Sequence, residues 1–144
     1  MAVADHLVDK SAWARLAKPA VARVLLPLLN AGRLAVCGMT ELEVLYSARS
    51  ANDHDQVRLE LRGLERLPTP DEAWERAVDV QAALARRGQH RTVAIPDLII
   101  AAVAERHWVR VLHYDRDFDL IAEVTGQPVE WVVPCGTADE AGPG

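Results

Sequence analysis

What most constrains this chain is the regular exchange of short apolar runs for longer segments of helical periodicity. His6-Leu7-Val8, Leu34-Ala35-Val36-Cys37, a brief run around Leu67, Arg110–His113 and Val129–Val133 read as strands. Between them the helix signals recur. Ser11 is placed to cap a helix through Trp13 and Leu16, and Pro19 opens another that stops at Gly32, with Pro27 as a kink. Thr40 is expected to cap a helix through Leu42, Leu45 and Tyr46, and Asp53 or Asp55 to begin one that ends near Gly63. Thr69-Pro70-Asp71-Glu72 starts a helix that ends at Gly88, Gln89–Val93 is a loop, and Pro96-Asp97 opens the apolar helix Leu98–His107. Phe118–Val124, stopped by Gly126, completes the set. Strands separated by about ten or more helical residues pair in parallel, and a parallel sheet must be covered on both faces. The fold class is therefore α/β, with ligands expected beyond the carboxyl ends of the strands, where the topology switches.

Composition sets the outer limits. The 144 residues suit one domain, expected over residues 1–134, and residues 135–144, after Pro134, read as a disordered tail. The longest apolar stretches, such as Val24–Leu29 and Leu98–Ala104, fall short of the roughly 20 residues of a bilayer span, so no membrane association is expected. The start of the chain lacks the basic leader and apolar core of a signal peptide, which predicts a cytoplasmic location. Two cysteines, Cys37 and Cys135, make neither a disulfide framework nor a CxxC zinc site. With 16 Lys+Arg against 21 Asp+Glu the formal charge is −5, which argues against a nucleic-acid binder held by a basic surface. Among the basic residues only Lys10 and Lys18 are lysines.

Four acids fall where a parallel sheet would place a ligand. Asp9 follows the first strand, Glu43 is expected in the first turn of the helix after the second, Asp97 starts the apolar helix, and Asp115 lies beyond Val109–Leu112, the apolar part of a later strand. Brought together they would repel strongly in a low-dielectric cleft, and oxygen-only ligands of this kind suit Mg²⁺ or Mn²⁺. Each also has a local structural reading. Thr40-Glu41-Leu42-Glu43 has the form of a capping box, so cap and ligand stand level for Glu43. Asp97 would suit the positive end of a helix, and Asp9 and Asp115 would suit turns. Their joint placement at one sheet edge favours the metal.

Other chemistries fit less well. The aspartates of Asp115–Asp119 open like a calcium loop, but Leu120 stands where that loop needs Gly and Gly126 where it needs Glu. An aspartyl-phosphate nucleophile would carry its DxD after the first strand, and a receiver domain would need a late lysine, of which there is none after Lys18. Ser11 and Ser47 lack a His-Asp set for nucleophilic catalysis, and there is no glycine-rich phosphate loop.

Leu7-Val8-Asp9-Lys10-Ser11-Ala12, Thr40-Glu41-Leu42-Glu43, Ile95-Pro96-Asp97-Leu98-Ile99-Ile100-Ala101-Ala102 and Val111-Leu112-His113-Tyr114-Asp115-Arg116-Asp117-Phe118 occur in that order over residues 5 to about 133. In these pieces the chain resembles the PIN-domain ribonucleases, and within them the VapC-type toxins of toxin–antitoxin pairs. The resemblance implies a PIN-like three-layer α/β/α sandwich around a mainly parallel sheet. It also implies a divalent-metal-dependent endoribonuclease whose catalytic metal ligands are Asp9, Glu43, Asp97 and Asp115, with Asp117 a neighbouring or water-mediated ligand and Ser11 in support. Mg²⁺ or Mn²⁺ is the cofactor it implies, RNA the substrate, a 5′-phosphate the product, and a VapB-like antitoxin and a second copy of the chain the partners. Two positions depart from the pattern: Lys10 stands where many relatives have Thr, and His113 where Thr or Ser is common. The second removes a hydroxyl that would orient the acids, a task Ser11 can share. The alternative is a catalytically inactive PIN-like interaction module. Taking the four acids from the 21 leaves 17 against 16 basic residues, so most of the negative balance belongs to the proposed metal site.

Overall fold

The computed structural model describes residues 3–140. The first strand, β1 (His6–Val8), leads into the short α1 (Lys10–Trp13) and then α2 (Pro19–Asn30). β2 (Leu34–Cys37) is followed by α3 (Gly38–Tyr46) and α4 (Ala51–Leu61), and β3 (Glu65–Leu67) by α5 (Asp71–Arg86) and α6 (Ile95–Arg106). β4 (Arg110–His113), α7 (Asp117–Thr125) and β5 (Val129–Trp131) complete the chain. The five strands form one sheet in the order β3-β2-β1-β4-β5, and every pairing is parallel.

Alternation along each strand sends neighbouring side chains into different layers. Leu7, Ala35, Cys37 and Val111 pack with α5, α6 and α7, whereas Val8, Leu34, Val36 and Leu112 pack with α1 and α2. The result is the expected three-layer α/β/α sandwich. The apolar α6 buries every residue from Asp97 to Ala104, which is why its sequence is hydrophobic on all sides. Gly126 ends α7 in the left-handed region at φ 72°, where a side chain would be strained. Among the described residues, no helix is long and apolar enough to cross a membrane.

Three helix starts differ from expectation, and one of the differences matters to the site. α1 is capped by Asp9 rather than Ser11: Asp9 Oδ2 accepts the Ser11 N–H at 2.9 Å. α4 is capped by Ser50, whose hydroxyl accepts the Asp53 N–H at 3.0 Å. α3 begins at Gly38, with Cys37 in the cap position, so Thr40 is already inside the helix and fully buried, its hydroxyl against Cys37 Sγ at 3.5 Å. Glu43 therefore stands in the second turn, too far along to close a capping box with Thr40.

The expected tail falls partly outside the described residues, at 141–144. Residues 135–140 fold back onto the domain: Tyr114 Oη accepts the Gly136 and Ala138 N–H groups at 2.8 and 3.3 Å, Ala138 is buried, and Lys18 pairs with Asp139. Tyr114 is more than twenty positions before this segment and Lys18 more than a hundred before Asp139, so no local pattern announces the contact.

Candidate metal centre

The strand order makes β1 and β4 neighbours, and chain connections leave in opposite directions from them. This is the switch point at which an open parallel sheet leaves a crevice. Asp9 emerges at the carboxyl end of β1, and Asp115 two residues beyond β4. α3 brings Glu43 to the same edge, and the first turn of α6 brings Asp97. Carboxylate oxygens of Asp9, Glu43 and Asp97 lie within 4.8 Å of one another, and so do those of Asp97, Asp115 and Asp117. Asp97 belongs to both groups. All four expected acids line one cleft of about 270 Å³.

The local structural readings account for only part of what these carboxylates do. Asp9 Oδ2 caps α1, but Asp9 Oδ1 is buried without a partner. Asp115 Oδ1 accepts the Asp117 N–H at 2.9 Å, which makes the turn expected of it. Asp97 caps nothing: the Ala94 N–H at the start of its helix goes to Asp117 Oδ2 at 3.0 Å, and Asp97 Oδ2 is buried and unpartnered. Buried carboxylate oxygens without a donor are costly, and a bound cation is the partner that would satisfy several at once.

Electrostatics record the same strain. Burial, then the adjacent Asp117 carboxyl, then Asp9 and Asp115 push Asp97 up to about 9. Burial also raises Asp9 against the opposing bonds from Ser11, and burial with the Asp9 charge raises Glu43. Burial and mutual repulsion thus favour the protonated forms of these acids. The donor set is oxygen only, which fits a hard divalent cation such as Mg²⁺ or Mn²⁺.

The supporting groups sit around this cluster. Ser11 Oγ donates to Asp9 Oδ2 at 2.6 Å and accepts the Tyr114 N–H at 2.8 Å, tying the end of β1 to the end of β4. His113, where a hydroxyl was expected to be missed, is fully buried between Phe118 and Trp131, with ring centroids 5.0 Å away on each side. Its Nδ1 accepts the Asp115 N–H at 3.1 Å, so the imidazole ring does what a Thr or Ser hydroxyl could do there. Burial lowers its pKa to about 4 and keeps it neutral. Arg15 also lines the cleft, with its guanidinium over the Tyr114 ring, and nothing in the local sequence pattern marks it as a site residue.

The PIN domain family matches residues 6–124. Ribonuclease VapC21 of Mycobacterium tuberculosis is 54% identical over 134 residues, covering 92% of this chain and 97% of that relative. Ribonuclease VapC18 of the same organism is 48% identical over 132 residues, covering 90% and 96%. Among solved structures, DNA-bound VapBC from Salmonella typhimurium superposes with a TM-score of 0.75 at 20% identity, covering 91% of this chain and all of that one. VapBC-5 from Mycobacterium tuberculosis superposes with a TM-score of 0.62 at 25% identity, covering 88% and 98%.

Proposed function

Because this chain belongs to the PIN-domain family, we propose that it is a divalent-metal-dependent endoribonuclease, the toxin of a type II toxin–antitoxin pair. The observation that carries the reading is the convergence of Asp9, Glu43, Asp97, Asp115 and Asp117 from separate elements on one cleft, with Asp9 Oδ1 and Asp97 Oδ2 left without protein partners. In this reading the first four are the catalytic metal ligands, and Asp117, which also anchors the Ala94 N–H, is an adjoining ligand.

The chemistry a Mg²⁺ or Mn²⁺ ion supplies at such a site is Lewis-acid polarisation of a phosphodiester and acidification of water. The chain's own contribution is placement. Ser11 fixes the rotamer of Asp9 through two bonds to Oδ2 and leaves Oδ1 facing the cluster. His113 holds the Asp115 backbone, and the turn from Asp115 to Asp117 sets both carboxylates. Asp97, on a buried helix, is favoured in its protonated form by burial and the neighbouring acids, and a divalent cation held by this set would favour its ionised form. No side-chain nucleophile is needed.

The partners follow the relatives. Solved neighbours are VapBC toxin–antitoxin complexes, so a VapB-like antitoxin is the proposed regulator, with RNA as substrate, the cytoplasm as the place of action and a homodimer as the free form. An exposed groove of about 460 Å³, with Leu42 68% and Trp74 49% exposed, supports a face that a protein covers. RNA cleavage with Mg²⁺ or Mn²⁺, with EDTA as control, tests the enzyme on wild type and Asp97→Asn. Metal-dependent cleavage that is lost in the variant is expected. A wild type inactive with both metals would establish the inactive interaction module instead, and a variant that cleaves equally well would overturn the four-carboxylate metal site.

A further inference from the structure

An acidic cleft in a chain of charge −5 must still attract a polyanion, and two cations in its lining answer that need. Lys10 follows Asp9, and Arg15 lies two residues beyond α1; both line the cleft with the four acids. Although carboxylates surround them, neither is in an ion pair among the described residues. An arginine beside a cluster of carboxylates would ordinarily fold into it with its bidentate fork.

Arg15 is held away. Its Nη1 donates to the Ser11 carbonyl at 2.6 Å, and its guanidinium lies 4.5 Å from the centroid of the Tyr114 ring. Tyr114 is itself fixed at several points: its N–H by Ser11 Oγ, its hydroxyl by Gly136 and Ala138, and its ring edge-on to Trp131 at 5.4 Å. The other donors of the Arg15 fork make no hydrogen bond within the described residues. A charged group immobilised on an aromatic platform, with donors to spare, is pre-organised for an anionic ligand rather than for packing.

We propose that Lys10 and Arg15 form a phosphate-binding pair for the RNA backbone, with Arg15 presented by Tyr114 and the segment 134–140 that clasps the Tyr114 hydroxyl. The pair deepens the ribonuclease reading and rests on it. Because phosphate contacts carry no base information, it sets strand position and affinity, not sequence preference.

The test is the salt dependence of binding. Anisotropy of a 5′-fluorescein 12-nucleotide single-stranded RNA of mixed sequence is followed in Ca²⁺ buffer from about 50 to 200 mM KCl, the range over which phosphate contacts reveal themselves, with probe integrity checked on a gel. Each phosphate contact on a single strand contributes a slope of about 0.7 in log K against log salt. Arg15→Gln and Lys10→Gln should each lower the slope by about that amount and weaken binding roughly tenfold, with KM rising and kcat nearly unchanged. Arg15→Lys, which keeps the charge, should keep the slope. Arg110→Gln, at the opposite end of β4, is the control and should behave as wild type. Unchanged slopes in both Gln variants, an equal fall in Arg110→Gln, or no binding by wild type would overturn the pair. Wild-type cleavage with Mg²⁺ is scored separately, so an inactive wild type sinks the ribonuclease reading whatever the slopes show.

Discussion

Ser11 donates its hydroxyl hydrogen to Asp9 Oδ2 at 2.6 Å while its oxygen accepts the Tyr114 N–H at 2.8 Å. One side chain thereby locks the acid after β1 to the backbone after β4, across the switch point of the sheet. Ser11→Ala leaves the Tyr114 N–H without its acceptor and Asp9 with one donor fewer. A loss of about 1–3 kcal/mol in urea unfolding is expected, together with a roughly 10–100-fold weaker Mg²⁺ affinity by calorimetry.

Asp97→Asn separates charge from shape at the centre of the cluster. A raised carboxyl binds more protons in the folded chain than in the unfolded one, so metal-free stability falls as pH rises from about 4 towards about 9. The Asn variant lacks this linkage. It should be at least as stable as wild type in EDTA, with an advantage that grows with pH across that window, and it should lose most of the stabilisation that Mg²⁺ gives wild type. Thermal unfolding at several pH values, with and without metal, measures both effects. A clearly lower melting temperature for the variant in EDTA would favour a helix-start role for Asp97.

His113 titrates in the opposite sense. Held neutral with a pKa near 4, it binds fewer protons in the folded chain than in the unfolded one, so its linkage removes stability as pH falls from about 6.5 to about 4. His113→Thr restores a hydroxyl to the acceptor position but leaves a gap between Phe118 and Trp131, at a cost of about 2–4 kcal/mol at neutral pH. The difference between wild type and variant should narrow towards pH 4 in denaturant titrations. A gap that stays constant with pH would mean the imidazole is not the buried neutral group described above.

Asp117 joins two tasks that substitution can divide. Its Oδ2 accepts the Ala94 N–H at 3.0 Å just before α6, and its carboxyl lies within reach of Asp97 and Asp115. Asp117→Asn keeps an oxygen for Ala94, and should cost under about 1 kcal/mol while weakening Mg²⁺ binding. Asp117→Ala should lose the anchor as well, at about 1–2 kcal/mol. Equal stability of the two variants would remove the anchoring role.

The order of strands and helices, the parallel sheet and the four acids at its carboxyl edge were all legible in the sequence, because apolar periodicity and the Pro, Gly and Asp signals are local. Local patterns do not always decide where a helix begins. Thr40 and Glu43 have the spacing of a capping box, yet α3 starts at Gly38: the pairing of β2 with β1 and β3 delivers the chain into the helix at Cys37 and buries Thr40. That shift releases Glu43 from capping and leaves its carboxylate for the cleft. Likewise, the sequence alone marks Asp9, Ser11 and Asp115 as plausible site residues, while the strand order that makes β1 and β4 neighbours sets them against one another. The bond from Ser11 to Tyr114 and the stacking of Arg15 on that ring join groups about a hundred positions apart, and the clasp of residues 136 and 138 on its hydroxyl spans more than twenty. Chemistry of this kind depends on which distant segments the packed layers bring into contact, and only the tertiary structure decides that.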